Sequence, residues 1–304
     1  MPHATPAELP LPGGQAGASL VIHPLLTAVM RGPRGWFESA RGRAAALKAL
    51  GIGVASHEMI DVPIVAFLLE HPAAGLVLVD TGFHGRIAEG PSRERSRNLG
   101  AVGRAMARGM RMEPEQAVAA QLRARGIDPA ADVGLIVMTH LHFDHASALC
   151  DFPAATVLVS SPEWQAARGR YPFLHGYVPA QLDPRPSYRT IDFAGAPAAE
   201  SAPFERTVDL FGDGSLTLAF TPGHSLGHLS LIARLGERDA LLTGDAAYTL
   251  ATIRDGARPW RSEDAQAFER SAQALAAWDR EHPDALVIPG HDIDAWEALD
   301  ERYS

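Results

Sequence analysis

Residues 135–146 read Leu-Ile-Val-Met-Thr-His-Leu-His-Phe-Asp-His-Ala, an apolar run followed by three of the 13 histidines of the chain. The apolar run is typical of a buried strand. Because residues two apart on an extended chain share a face, His140 and His142 can point in one direction at the end of this strand. The chain then turns, so that Asp144 and His145 can approach from a second direction. Imidazole nitrogens and carboxylate oxygens suit zinc, and the segment therefore predicts a metal site.

The same arrangement recurs after three further apolar runs, at residues 216–220, 240–242 and 286–288. Each run is followed by a turn that contains glycine, which permits a sharp change of backbone direction, and by one potential ligand. Together with the first segment, these turns give seven potential ligands: His140, His142, Asp144, His145, His224, Asp245 and His291. One tetrahedral zinc needs at most four ligands, so seven indicate two ions, with Asp245 as the natural shared carboxylate.

The composition is that of a globular protein and limits the partners. The 304 residues are 46% hydrophobic and 21% charged, and their net charge of −9 disfavours nucleic acid as a partner. The longest apolar stretches are about half of the ~20 residues that a membrane-spanning helix needs. The single cysteine, Cys150, cannot form an intrachain disulfide, and we predict it to be a small buried residue rather than a nucleophile. Residues 1–18 are rich in proline and glycine, lack the pattern of a signal peptide, and predict a flexible tail on a cytoplasmic protein.

Short strands mixed with a few helices predict an α/β protein with a layered sandwich in one domain over residues 19–304. The predicted strands lie at residues 20–22, 64–69, 76–79, 135–138, 156–159, 216–220, 229–233, 240–242 and 286–288. The predicted helices lie at residues 44–50, 114–126 and 162–167, with a further one from Ser262 whose apolar stripe includes Phe268 and Leu275.

Residues 85–113 differ from the rest of the chain because arginines crowd there with little periodicity. From Leu99 onwards, apolar residues at helical spacing predict an amphipathic helix. Two interpretations stay open for this segment: a solvated insertion, or a lid or partner surface beside the site, which would be compatible with a homodimer.

The set of seven ligands, in this order, resembles that of the metallo-β-lactamase superfamily. Asp80-Thr81-Gly82 is similar to the aspartate turn that precedes these ligands in the family. The resemblance covers roughly residues 20–300 and implies an αβ/βα four-layer sandwich with metals at one edge. Within the superfamily, the segments at residues 139–146, 221–228, 244–248 and 290–292 resemble the N-acyl homoserine lactone lactonases, which are quorum-quenching enzymes. The sharpest of these marks is Tyr248, three residues after Asp245.

This resemblance implies a dinuclear hydrolase that opens a small-molecule lactone, with two Zn²⁺ ions or another divalent metal such as Co, Mn or Fe. We predict that His140, His142 and His224 hold one ion and that Asp144, His145 and His291 hold the other. Asp245 and a hydroxide would bridge the two ions, and the hydroxide would attack the lactone carbonyl. In the predicted mechanism Tyr248 stabilises the oxyanion, and Asp144 passes a proton to the leaving alkoxide.

Several further residues have predicted roles that compete with simpler ones. Asp80 is predicted to hold a ligand imidazole, the alternative being a turn cap, and Tyr248 could instead be a packing residue. His228 is predicted to support its turn, and Asp292 to cap a helix. The candidates for an acyl-chain pocket, each of which could instead belong to the core, are Met30, Trp36, Phe37, Met106 and Phe173.

Two other functions are compatible with the same ligands. The first is another ester, lactone or thioester hydrolase, including a glyoxalase II-like enzyme, which should carry a basic pocket for its tripeptide conjugate. No such cluster is visible near the C-terminus, where acidic residues prevail. The second is a non-catalytic metal-binding protein. A structural zinc site is closed by four ligands, so seven ligands argue against this interpretation.

Overall fold

The computed structural model describes residues 2–39, 45–89, 93–106, 109–194, 199–201 and 203–304. Within these residues the chain forms two β-sheets, whose strands are β1 (Ala4–Pro6), β2 (Val21–Pro33), β3 (Met59–His71), β4 (Gly75–Val79), β5 (Leu135–Val137), β6 (Thr156–Ser160), β7 (Ser187–Ile191), β8 (Ala199–Ser201), β9 (Phe204–Asp209), β10 (Leu216–Phe220), β11 (Leu229–Arg234), β12 (Asp239–Leu242) and β13 (Leu286–Ile288). The first sheet has the order β1-β7-β6-β5-β4-β3-β2, and the second has the order β13-β12-β11-β10-β9-β8.

The described residues also form eight α-helices: α1 (Arg34–Phe37), α2 (Ala45–Ala49), α3 (Arg93–Met106), α4 (Val118–Ala124), α5 (Ser161–Ala167), α6 (Leu250–Arg254), α7 (Ala265–Glu281) and α8 (Ile293–Glu297). None of the helices in these residues combines the length and the apolar content needed to cross a membrane.

The two sheets and the helices on their outer faces form four layers, which confirms the predicted sandwich. Three apolar clusters, one between each pair of neighbouring layers, hold these layers together. The central cluster is shared by both sheets, with Val79 and Val137 of the first packed together with Leu218 and Leu231 of the second. The outer face of the first sheet packs against α4 and α5, and the outer face of the second packs against α6 and α7. Because burying apolar surface is the main favourable term in folding, this arrangement fixes the strand ends from which the site is built.

Most predicted elements are confirmed, but some of their bounds differ. The predicted strand at residues 20–22 is the start of the 13-residue β2, which pairs with β3 along its length. The helix predicted from Ser262 begins at Ala265, because the Asp264 carboxylate accepts hydrogen bonds from the amides of Gln266 and Ala267 and so caps the helix.

The N-terminal segment lies on the fold, whereas we predicted a flexible tail over residues 1–18. β1 pairs in parallel with β7, and the amide of Leu11 donates to the carbonyl of Leu210. The Gln15 amide donates to the Asp213 carboxylate at 2.7 Å. The segment therefore contributes an edge strand and a set of backbone hydrogen bonds.

The arginine-rich segment is attached to the same body. α3 contains non-helical backbone at Gly100, so the helix predicted from Leu99 is one part of a kinked element. Leu99 is 1% exposed and packs in a cluster with Phe37 and Tyr248. Residues 107–108, and the side chain of Met106, lie outside the described residues. The role of this segment as a lid or dimer surface stays a prediction.

Candidate metal centre

The seven predicted ligand residues meet at one edge of the two sheets. β5, β10, β12 and β13 each end shortly before one of the ligand segments, so four strand ends deliver the side chains to the same place. Six of the seven residues are buried and His142 is half-buried. Side chains that come from strand ends rather than from long loops are held rigidly, which a metal site requires.

Three imidazoles converge on one point. Nε2 of His224 lies 3.1 Å from Nε2 of His140 and 2.9 Å from Nδ1 of His142. Burial lowers the pKa of His142 to about 3 and holds the pKa values of His140 and His224 well below their usual range. All three rings are therefore neutral at pH 7, the form in which imidazole binds a metal ion.

A second group contains Asp144, His145 and His291, whose potential ligand atoms all lie within 4.8 Å of one another. Asp245 lies between the two groups. Its Oδ1 is 3.4 Å from Nε2 of His145, and its Oδ2 is 3.2 Å from Nε2 of His291 and 3.3 Å from Nε2 of His224. One carboxylate thus faces imidazoles of both groups.

Two atoms of this cluster show that its residues fit a divalent cation. Nε2 of His145 and Oδ1 of Asp245 are buried and, within the described part of the chain, have no hydrogen-bond partner of adequate geometry. Buried polar atoms without a partner are costly, and a cation bound between these two atoms would offset that cost. Burial acts to lower the pKa of His145, but the carboxylates of Asp245, Asp144 and Asp80 raise it well above its usual range. The site thus carries an excess of negative charge that a cation would neutralise.

Asp80 holds one of these imidazoles from behind, as predicted. Its Oδ2 is 2.8 Å from Nδ1 of His145 and also accepts from the Thr139 hydroxyl at 2.7 Å. The Thr139 amide donates to Oδ1 at 2.8 Å. Asp80 adopts a φ of 57°, in the left-handed region that most residues avoid, so the backbone is strained at the position that aims this carboxylate.

His228 and Asp292 also have the supporting roles that the sequence predicts. His228 accepts from the Asp245 amide at 2.9 Å through Nε2, and its Nδ1 lies 3.0 Å from the Thr221 hydroxyl. Both ring nitrogens are therefore engaged in holding the turns. Asp292 accepts from the Ala295 amide at 3.1 Å and caps α8.

Tyr248 lies beside the converging imidazoles. Its hydroxyl is 2.8 Å from Nδ1 of His224, and the residue is 4% exposed. Burial and the nearby charges of Asp245 and Asp144 raise the pKa of the Tyr248 phenol well above its usual range. The phenol stays neutral at pH 7 and can donate a hydrogen bond.

A cavity of about 170 Å³ opens over the cluster and is bounded by several of the predicted ligands and by Tyr248. Three of the candidates for an acyl-chain pocket, Met30, Trp36 and Phe37, line this cavity, and their contact with an acyl chain stays a prediction. Phe173 does not line it and is 46% exposed, because the turn that contains it directs Leu174 and His175 towards the cavity instead.

Several residues of this cavity were not predicted. Phe143 lines it from within the histidine-rich segment, where its position between two ligands could have identified it. Arg261 and Glu263 also line the cavity, with Nη2 of Arg261 3.7 Å from Oε1 of Glu263. They lie in a loop before α7, and nothing in the local sequence indicates that this loop approaches the histidines.

A separate group of potential ligands surrounds Cys150. The residue is half-buried rather than buried as predicted, because its short 3-10 helix directs Leu149 into the core and leaves Cys150 beside a cavity of about 630 Å³. Nδ1 of His84 accepts from the amide of Arg86, and Nε2 lies 3.3 Å from Asp151. The ring hydrogen therefore faces the carboxylate. Arginines also line this cavity, so the group suits a hydrogen bond better than a cation.

A family model, curated relatives and a solved structure were compared with this chain, and their results agree. The model of the metallo-β-lactamase superfamily matches residues 59–291. N-acyl homoserine lactonase AttM of Agrobacterium fabrum is 35% identical over 238 residues, which are 78% of this chain and 84% of the relative. AttM of Azorhizobium caulinodans is 36% identical over 79% of this chain and 85% of the relative. A crystal structure of a quorum-quenching N-acyl homoserine lactone lactonase is similar in fold, with a TM-score of 0.70 at 22% identity over 94% of this chain and 98% of that one.

Proposed function

Because the chain belongs to the metallo-β-lactamase superfamily, we propose that it is a metal-dependent hydrolase that opens the lactone ring of N-acyl homoserine lactones. The observation that carries this proposal is the cluster of imidazoles and carboxylates at the base of a cavity that also presents the Tyr248 hydroxyl and an apolar wall. The relatives named as N-acyl homoserine lactonases support the same substrate class.

We propose that the cluster holds two Zn²⁺ ions, with Co, Mn or Fe as alternative metals. His140, His142 and His224 would hold one ion, and the other would be held by Asp144, His145 and His291. Asp245 faces both groups and would be shared. Divalent cations supply Lewis acidity and lower the pKa of water, which is the chemistry that ester hydrolysis needs near neutral pH.

Tyr248 is proposed to act on the lactone carbonyl. Its hydroxyl lines the cavity and lies next to a ligand imidazole, so a carbonyl oxygen seated there can accept its hydrogen. A donor aimed at an oxygen on which negative charge develops is worth ~3–4 kcal/mol of transition-state stabilisation. The phenol stays protonated at neutral pH, so its hydrogen is available for donation to the carbonyl oxygen.

Asp144 is proposed to move a proton to the ring oxygen that leaves. Its carboxylate lines the same cavity, with Oδ2 3.8 Å from Nε2 of His145 and 3.9 Å from Nε2 of His291. Ring opening produces an alkoxide that requires a proton, and the Asp144 carboxylate would take this proton from the attacking water and pass it to the alkoxide. Of the two carboxylates in the imidazole cluster, Asp245 faces both groups, whereas Asp144 faces only His145 and His291.

The acyl chain is proposed to lie against the apolar wall formed by Met30, Trp36, Phe37 and Phe143. Burial of apolar surface contributes about 25 cal/mol per Å², so each methylene that contacts this wall favours binding. Among the described lining residues Arg261 is the one basic side chain besides the histidines, and it faces Glu263. This arrangement disfavours a glutathione conjugate, which carries two carboxylates.

Two finer expectations accompany the proposal. A cytoplasmic location is supported by the single cysteine, since the fold uses no intrachain disulfide. A homodimer would have to use a surface other than Leu99, which is buried against its own chain.

A substrate panel on the metal-loaded protein tests the proposed function. N-acyl homoserine lactones of short and long chains, γ-butyrolactone, a lactoylglutathione thioester and a β-lactam would be compared by kcat/KM. We expect the N-acyl homoserine lactones to be the preferred substrates. A higher kcat/KM for the thioester would instead support the glyoxalase II-like alternative and contradict the proposal.

A further inference from the structure

We infer that Glu163 is a positioning residue that holds two ligand-bearing loops in one arrangement, an inference that rests on the proposed metal centre. Glu163 lies in the first turn of α5, and its exposed fraction is 0%. It contributes no atom to the cluster itself. Its carboxylate instead accepts hydrogen bonds from both loops that carry the three converging imidazoles.

Each oxygen of the Glu163 carboxylate accepts hydrogen bonds from a different loop. Oε1 accepts from the amide of Leu141 at 2.9 Å. Oε2 accepts from the Ser225 hydroxyl at 2.6 Å and from the Gly227 amide at 3.1 Å. A carboxylate can only accept, so it suits a site at which three donors point inward from different directions.

The position of these donors along the chain explains what the carboxylate holds. Leu141 lies between His140 and His142, and Ser225 directly follows His224. A shift of either loop relative to the other would separate imidazole nitrogens that are now 2.9–3.1 Å apart. Glu163 therefore fixes the distance between the parts of the first ligand group.

A second contact brings α5 and the His224 loop together. The Ser160 hydroxyl donates to the Gly227 carbonyl at 2.5 Å, and its oxygen accepts from the Glu163 amide at 3.2 Å. A Cβ atom added to Gly227 would lie 2.2 Å from the Glu163 nitrogen, which is closer than any real Cβ contact. Glycine is required here because the loop lies directly against the start of the helix.

The cost of burying the Glu163 carboxylate also supports a role in holding the two loops. Burying a carboxylate is costly, and the cost is offset only when hydrogen bonds reach it. A glutamate in the first turn, three residues after a serine N-cap, ordinarily bonds back to its own cap. Here the carboxylate accepts instead from loops more than 20 and 60 residues away in sequence. The residue thus serves the loops rather than its helix.

The test is a Zn²⁺ titration of the metal-free full chain against a competing chelator, together with the absorption spectrum of the Co²⁺-loaded protein. E163Q keeps the shape of the side chain but turns an NH₂ group towards at least one donor. Its matched control is D213N, which also converts a carboxylate that accepts several hydrogen bonds, at the opposite end of β10 from the ligands. S225A removes a single hydrogen bond to Oε2 and serves if E163Q does not fold.

We expect E163Q to bind Zn²⁺ about 10- to 100-fold more weakly and to change the Co²⁺ spectrum, as is typical when a group that orients metal ligands is removed. S225A should change both readouts in the same direction, while D213N should lose stability with its Zn²⁺ affinity unchanged.

Zn²⁺ affinity of E163Q within about twofold of the wild type, or an equal loss in E163Q and D213N, would overturn the inference, since outer groups typically matter tenfold or more. If E163Q does not fold, S225A is judged by the same criteria. If the wild-type chain binds no Zn²⁺, the proposed function itself is overturned. If the wild type binds Zn²⁺ and E163Q binds it equally well, only the inference about Glu163 is overturned.

Discussion

The Tyr248 hydroxyl lies 2.8 Å from Nδ1 of His224, with both residues buried. Nε2 of His224 faces two other imidazole nitrogens, so the hydrogen of this neutral ring belongs on Nδ1. Nδ1 then donates to the oxygen of Tyr248, which leaves the phenolic hydrogen free to donate elsewhere. One contact thus orients the imidazole of a predicted ligand and leaves the Tyr248 hydroxyl able to donate to a bound substrate.

Tyr248→Phe tests whether the phenol donates a hydrogen bond to the substrate. We expect kcat for lactone opening to fall by a factor on the order of 10², because the carbonyl oxygen loses a donor when negative charge develops on it. With metal supplied in excess, the metal content should stay that of the wild type. Unchanged turnover in the fully loaded variant would show that Tyr248 only packs against Phe37 and His291.

Asp245→Asn tests the shared carboxylate. Because Asp245 faces both groups of imidazoles, we expect the variant to retain roughly half of the bound metal of the wild type. The measurement is metal content per chain by elemental analysis after dialysis. Retention of two ions by the asparagine variant would rule out a bridging role.

Gly227→Ala tests the close approach of the His224 loop to α5. The added Cβ would collide with the backbone nitrogen of Glu163, so we expect the free energy of unfolding to fall by about 1–3 kcal/mol. Gly134→Ala is the matched control, since nothing lies within 4 Å of a Cβ at that exposed position, and its change should stay within about 0.5 kcal/mol. Equal unfolding midpoints in denaturant for the two variants would contradict the close packing of Gly227 against Glu163.

Asp213→Asn tests a carboxylate remote from the site. Burial acts to raise the pKa of Asp213, but hydrogen bonds from Ser215, Gln15 and His71 outweigh burial and hold the pKa below its usual range. A lowered pKa in the folded state gives stability that is present above the ordinary aspartate pKa of about 3.9 and is lost as the pH falls through the folded value. We expect the variant to be less stable by about 1–3 kcal/mol at pH 7.

The pH dependence provides the check on this last prediction. Denaturant unfolding of both proteins from pH 7 downwards should show the difference in unfolding free energy narrowing below about pH 4. A difference that stays constant over this range would mean that the charge of Asp213 contributes nothing.

The convergence of the seven predicted ligand residues could be foreseen from the sequence because of a simple rule of topology. Each lies just beyond an apolar run, and strand ends of the same sense meet at one edge of a sheet. The outer partner Asp80 could be predicted for the same reason, since it directly follows β4. The ends of strands can be recognised from the local sequence, because an apolar run stops there and a turn begins.

What the sequence did not reveal depends on contacts between distant segments. β7 and β9, with the sequences SYRTI and FERTVD, lack a clear apolar alternation and exist because neighbouring strands pair with them. The hydrogen bond from Ser225 to Glu163 joins residues 62 apart. No local pattern distinguishes Glu163 from an ordinary residue of a first helical turn, so its contact with the ligand loops becomes visible only in the folded chain.

Lactone opening by this chain should depend on the two divalent cations that we propose the cluster binds. Mass spectrometry of N-hexanoyl homoserine lactone after incubation with the chain, loaded with two equivalents of Zn²⁺ or stripped by a chelator, tests it most directly. We expect the metal-loaded chain to convert the lactone to a product heavier by one water and the stripped chain to leave the lactone intact. An intact lactone with the loaded chain, or equal conversion by both, would contradict it.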